Sequence, residues 1–206
     1  EQKNWNEEWE KSFEPVIIEN FCAIRASFHE PVPEVMHEII ITPKMSFGTG
    51  HHATTFQMIQ LMKQTDFTNK TILDFGTGTG VLAILAEKLG AKDVLAIDND
   101  EWSINNAREN IEANGCSLIR LEKAQALITA EKFHVILANI NKHVIHENLH
   151  SITKHLRDEG VVILSGLLKD DQQEIADAAL KENLLVKTQS QNYDWIALSL
   201  INVNSV

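Results

Sequence analysis

Thr71-Ile72-Leu73-Asp74-Phe75-Gly76-Thr77-Gly78-Thr79-Gly80 decides how the rest of the chain is read. β-Prone residues lead into an acid, three glycines follow at alternate positions, and the apolar run Val81-Leu82-Ala83-Ile84-Leu85-Ala86 starts at once. The pattern predicts a buried strand, a tight glycine turn and a helix. Glycine lets the backbone come close to a ligand, and the unpaired amides of a helix start face that ligand. A dinucleotide fingerprint needs G-x-G-x-x-G so that a pyrophosphate meets the helix N-terminus. Here the spacing is G-x-G-x-G, and no lysine follows as a Walker loop requires. A glycine turn that merely joins strand to helix remains the alternative at this point.

Outward from this stretch, strand and helix alternate to about residue 182. Further strands are expected at Val94–Asp98, Ser117–Leu121, Phe133–Asn139 and Gly160–Ser165. Helices are expected over Gly80–Leu89, Glu101–Asn114, His143–Leu156 and Asp170–Glu182, with Asn99-Asp100 as a cap and Gly90 and Gly115 as stops. Such alternation implies an α/β fold, a mostly parallel twisted sheet with helices on both faces. Leu184–Thr188 and Trp195–Leu200 are separated by only Gln189–Asp194, too few residues for a parallel crossover, so they are expected to pair antiparallel. Upstream, Pro15–Ser27 and Glu38–Thr42 predict a small β-hairpin within residues 15–44. Residues 1–14 read as a linker or short helix with Trp5, Trp9 and Phe13 on one face. Met45–Thr55 is a loop of glycines and hydroxyl residues running into a helix over Ala53–Lys63.

The totals exclude several classes. A chain of 206 residues with 44% hydrophobic and 23% charged residues is one large globular domain, or a domain with an appendage. Its net charge of -11, without a Lys/Arg cluster, argues against nucleic-acid binding. Cys22 and Cys116 lack C-x-x-C spacing and are expected to be reduced thiols of a cytoplasmic protein. No apolar run is long enough for a membrane helix.

Two side chains stand where open α/β sheets bind ligands, at the C-terminal ends of strands. Asp98 ends the second strand, where a carboxylate accepts both hydroxyls of a ribose or, alternatively, caps the next helix. Asn139 ends the fourth, where its side-chain carbonyl would hold an amine's lone pair toward a reacting centre. Capping the next helix is the equal alternative. The pair His51-His52 lacks the H-E-x-x-H spacing or carboxylate partner of a metal site and is read as shaping a ligand loop, with Thr54 or Thr55 offering a hydroxyl. No metal is expected.

The D-x-G-x-G-x-G pattern resembles motif I of Rossmann-like S-adenosylmethionine (AdoMet) methyltransferases. Met45–Thr55, taken with Asp74–Gly80 and Ala138-Asn139-Ile140, closely resembles the PrmA family, the methyltransferases of large-subunit ribosomal protein L11. The likeness covers essentially the whole chain, and the Trp-rich opening looks like the family's interdomain linker. It implies AdoMet held by Thr55, Gly76, Asp98 and Asn139, with Gly78 and Gly80 shaping the turn. It also implies methyl transfer to lysine side chains and the N-terminal amine of L11, and a substrate-recruiting domain upstream of Glu1. The family usually has Leu after Ala-Asn-Ile, whereas Asn141 and Lys142 follow here. A methyltransferase for another protein or a small molecule, and a non-catalytic AdoMet-binding module, are the rival readings.

Overall fold

A computed structural model describes residues 14–44 and 50–203. The expected aromatic face of Trp5, Trp9 and Phe13, and the stretch Met45–Thr49, lie outside the described residues.

A small sheet comes first: β1 (Val16–Ile18), β2 (Cys22–Ala26) and β3 (His37–Ile41). The hairpin lies within Pro15–Ser27, as β1 antiparallel to β2, and the strand expected at Glu38–Thr42 adds parallel to β2 as β3 rather than as a hairpin arm. Next come α1 (Ala53–Lys63), β4 (Thr71–Phe75), α2 (Val81–Lys88), β5 (Asp93–Asp98), α3 (Glu101–Ala113) and β6 (Ile119–Lys123). The chain closes with β7 (Phe133–Asn139), α4 (Lys142–His155), β8 (Leu156–Leu168), α5 (Gln172–Lys181), β9 (Leu184–Asn192) and β10 (Trp195–Asn202). The large sheet has the order β6-β5-β4-β7-β8-β10-β9. Its strands are parallel from β6 to β8, and β10 runs antiparallel to both β8 and β9.

β4, β5 and β7 read as continuous apolar runs because both faces of the sheet are covered. On one face α4 and α5 contribute Ile145, Leu149, Ile152 and Ile175 to a core with Leu73, Ile136 and Leu164. On the other, α1 and α2 pack beneath Ile24, Ile39 and Ile41 of the small sheet. α2 is therefore sandwiched between two sheets, which explains why Val81 through Ala86 are all buried. A helix apolar on every side has no solvent face to present.

The largest departures from the expected boundaries are in β8, β9 and β10. β8 starts at Leu156, directly from α4, because the polar stretch Arg157–Glu159 is an exposed strand start rather than a loop. β9 and β10 are longer than expected and joined by only Tyr193 and Asp194. The polar residues Gln189–Asn192 belong to β9, the edge strand, where alternate side chains face solvent.

Strand order reverses between β4 and β7, the place where such sheets open a ligand cleft. The turn after β7 is seated there by two glycines of other strands. A Cβ on Gly76 would collide with the Ile140 side chain, and one on Gly166 with the Ile140 carbonyl. Gly166 lies inside β8 with φ 86, opposite the register shift between Ile196 and Leu198 of β10. Gly166→Ala should thus cost at least about 2 kcal/mol of stability, from left-handed backbone strain plus the collision. Urea denaturation checks it, and a variant within 0.5 kcal/mol of wild type, roughly the scatter of neutral surface changes, would show that the turn is not held this way.

Candidate functional site

The glycine turn is built by hydrogen bonds between backbones. Gly76 and Thr77 both donate their amides to the Ile97 carbonyl at 2.9 Å, and Gly80 donates to the Thr77 carbonyl. Gly76, Gly78 and Gly80 all have positive φ, 77°, 55° and 81°, a region that side-chain-bearing residues rarely occupy. Gly80 is the N-cap of α2.

Asp98 joins this turn to the neighbouring strand end. Its Oδ2 accepts from the Gly78 amide at 2.9 Å and its Oδ1 from the Asp100 amide at 3.0 Å. It is Asp100, accepting from the Ser103 amide at 2.9 Å, that caps α3. Asp98 is thus free of the capping role and faces the cleft with lone pairs left over.

Beneath the turn, Asp74 is fully buried and accepts the Thr77 hydroxyl at 2.6 Å. Burial pushes its carboxyl from 3.8 up to about 7, against the pull of the Thr77 hydroxyl and the Ala83 amide, and the nearby Asp98 charge adds to the rise.

A cleft of about 460 Å³ opens above these residues. Gly76, Gly78, Asp98, Asn99, Ser103, Ala124 and Gln125 line one end. Asn139, Ile140, Asn141, Gly166, His52, Thr54 and Trp195 line the other.

Asn139 is likewise released from capping. Asn141 performs that task for α4, accepting from the Val144 amide at 3.1 Å. Asn139 donates its Nδ2 to the Thr55 hydroxyl at 3.4 Å. Its carbonyl oxygen has no donor among the described residues, which orients an acceptor into the cleft. Thr55 is buried behind Asn139 and does not line the cleft; Thr54 does. Gly80 also sits behind the lining, holding the turn.

The two adjacent histidines part company. His51 pairs with the Glu14 carbonyl at 2.9 Å, whereas His52 Nδ1 lies 2.8 Å from the Thr54 hydroxyl and caps α1. The His52 ring meets Trp195 edge to face, with centroids 4.7 Å apart. Trp195 is fixed from behind as well, since the buried Gln57 donates to its carbonyl at 2.7 Å. Among the described residues, no three His, Cys, Asp or Glu side chains converge as a metal site.

Trp195 and Gly166 were not singled out as site residues by sequence reasoning. For Gly166 a signal existed, a glycine directly after the apolar strand Val161–Ser165. Trp195 carried none, because it enters the cleft through antiparallel pairing across more than fifty residues of chain after Asn139.

Comparison with known proteins gives a consistent picture. The family described as Ribosomal protein L11 methyltransferase (PrmA) matches residues 1–202. A ribosomal protein L11 methyltransferase of Bacteroides fragilis is 39% identical over 98% of this chain and 73% of its own. One from Porphyromonas gingivalis is 42% identical over 95% of this chain and 68% of its own. The crystal structure of ribosomal protein L11 methylase from Lactobacillus delbrueckii subsp. bulgaricus superposes with a TM-score of 0.86 at 30% identity, covering 92% of this chain and 99% of that one.

The buried Asp74 makes a pH signature. In the unfolded chain its carboxyl ionises near 3.8, while in the fold it stays protonated to about 7. Between those values the unfolded state binds fewer protons, so this group's contribution to stability falls as pH rises and levels off above about 7. Relative to Asp74→Asn, the wild type should lose on the order of 4 kcal/mol across that window. Urea titrations of both proteins at pH 4.5 and 8 check the difference, and parallel curves would contradict a buried, protonated Asp74.

Proposed function

The chain belongs to the ribosomal protein L11 methyltransferase (PrmA) family, and from that premise we propose that it methylates amino groups of ribosomal protein L11, with Asn139 holding the amine. It is an AdoMet-dependent methyltransferase.

The donor set suits that cofactor. A carboxylate at Asp98 matches ribose hydroxyls, and the apolar and amide residues Ile97, Ala124 and Gln125 beside it suit an adenine ring. A glycine turn without side chains admits the rest of the molecule close to backbone. The cleft volume is that of a site for a ligand of this size. When bound, AdoMet supplies a methyl group on a positively charged sulfur, which makes it electrophilic.

The protein's own contribution is alignment. Asn139 Oδ1 accepts an N–H of the incoming amine, which turns the nitrogen lone pair away from Asn139 and along the cleft. With Asn139 Nδ2 toward the Thr55 hydroxyl, the Asn139 oxygen is the atom presented to the amine. The His52–Trp195 pair walls the same end of the cleft, and an indole face attracts an approaching ammonium. A lysine amine is mostly protonated at neutral pH, with a pKa of about 10.4, and must lose a proton before it reacts. The open mouth of the cleft passes that proton to solvent. An uncharged Asn at the reacting end favours the neutral amine, whereas a carboxylate would stabilise the unreactive ammonium. That uncharged acceptor at a strand end, freed from capping by Asn141, is the observation that carries the amine assignment.

Methyl-labelled AdoMet incubated with the full-length protein and ribosomal protein L11 should place label on lysine and terminal amines, located by mass spectrometry. Label confined to another substrate would overturn the assignment. Asn139→Ala should lower the transfer rate at least about 100-fold, the loss typical of a misplaced acceptor. Its thermal midpoint should stay near that of wild type, since Asn139 donates a single long hydrogen bond. Undiminished transfer by the variant would remove Asn139 from the reaction.

A further inference from the structure

We propose that Asn110 is a positioning residue that couples the cofactor turn to Thr42 at the end of the small sheet's edge strand; the proposal rests on the AdoMet reading of the cleft. The motive is a row of asparagines at Asn106, Asn110 and Asn114, spaced four apart on α3 and its C-cap, that no part of the reaction uses. Asn106 and Asn110 are wholly buried.

Residues four apart on a helix rise by about 6 Å, close to the roughly 6.6 Å between alternate residues of a strand. The row therefore matches the edge of the small sheet along β3, running in the opposite direction. Asn114 Oδ1 accepts from the Ile40 amide at 3.0 Å and its Nδ2 donates to the Ile40 carbonyl at 2.6 Å. Asn110 Oδ1 accepts from the Thr42 amide at 2.7 Å, and Asn106 Nδ2 donates to the Thr42 carbonyl at 3.2 Å. Side-chain amides thus occupy the place of a fourth strand.

Edge protection alone does not account for Asn110. Asn114 satisfies both backbone groups of Ile40 by itself. Asn110 leaves the Thr42 carbonyl to Asn106 and sends its own Nδ2 elsewhere, to the buried Thr79 carbonyl at 2.8 Å. Thr79 is in the glycine turn. One side chain therefore holds the turn with its donor and the small sheet with its acceptor. Its amide orientation is fixed, because it faces a carbonyl on one side and an N–H on the other. Ala107, one turn earlier on the same face, meets Gly80 so closely that a Cβ there would lie 3.3 Å from its own.

Thr42 leads toward the cleft. Downstream the chain is anchored again at Gly50, where positive φ and the Ile24 side chain leave no room for a Cβ. His51 and the cleft residues His52 and Thr54 follow directly. A displacement of the turn at Thr79 is thereby transmitted through Asn110 to Thr42 at the end of the small sheet.

The test compares Asn110→Ala with Asn114→Ala in the full-length protein. S-adenosylhomocysteine affinity is read by calorimetry, and KM for AdoMet is read against kcat for L11 methylation. Asn110→Ala should raise Kd and KM at least about tenfold, the equivalent of one buried hydrogen bond, with kcat at saturating AdoMet within about threefold. Asn114→Ala should lower the thermal midpoint while leaving Kd within about twofold. Equal effects of both substitutions on Kd, or none from Asn110→Ala, would overturn the proposal. Asn110→Gln, which retains both functional groups, should recover part of the affinity.

Should the alanine variants fail to fold, amide hydrogen exchange on the wild type decides. Saturating S-adenosylhomocysteine should slow exchange of the Thr42 amide more than that of Ile40. Equal slowing at both, or none at Thr42, overturns the coupling. A wild-type protein that binds no S-adenosylhomocysteine would instead overturn the cofactor reading itself.

Discussion

The pinching of Ile140 between two glycines is the constraint on which the cleft depends. Gly76 ends the first strand of the cofactor motif and Gly166 lies deep in β8, yet both give up their side chains to the same neighbour. The turn after β7 consequently lies flat against two other strand ends, and its amide is tied to the Ser165 carbonyl at 3.2 Å. Asn139 on one side of Ile140 and Asn141 on the other are then fixed in direction. The first is delivered to the cleft and the second to the start of α4. A side chain at either glycine would lift the turn and move both.

The same economy governs charge. Burial, with the nearby Asp98 charge adding to it, pushes the Asp74 carboxyl up to about 7. Below about pH 7 the protonated Asp74 adds no second negative charge beneath the glycine turn. Asp98 is anchored by two backbone amides, those of Gly78 and Asp100. Asp98 therefore faces the cleft, and the buried Asp74 holds the turn from beneath.

Legibility in the sequence followed the range of the interactions. The strand-turn-helix unit at 71–88 is local, with its hydrophobic period, its glycines and its acid all within eighteen residues, and its type was readable directly. Asp98 was readable for the same reason, one strand later. Asn139 was located but its role was ambiguous, because only the structure shows Asn141 doing the capping. Trp195 and Gly166 were missed as site residues since their positions depend on pairing between distant strands. The misjudged strand lengths have one cause: polar residues on an exposed strand start or edge strand read like loop.

The two ends of the cleft consequently rest on different kinds of physics. The end lined by Gly76, Gly78 and Asp98 is fixed mostly by backbone, through positive-φ glycines and their amide hydrogen bonds. The end lined by Thr54, Asn139 and Trp195 is assembled from side chains of α1, β7 and β10, elements far apart in the chain. Substitution there changes shape without breaking the turn. Asn141 and Lys142, which stand where the resembling family usually begins with leucine, fall at this end. Lys142 is turned outward, paired with Asp171 at 2.7 Å and Glu174 at 3.0 Å, and both bonds raise its pKa. Asn141 and Lys142 thus supply a cap and an ion pair at the start of α4, and Asn139 beside them presents an uncharged amide to the cleft.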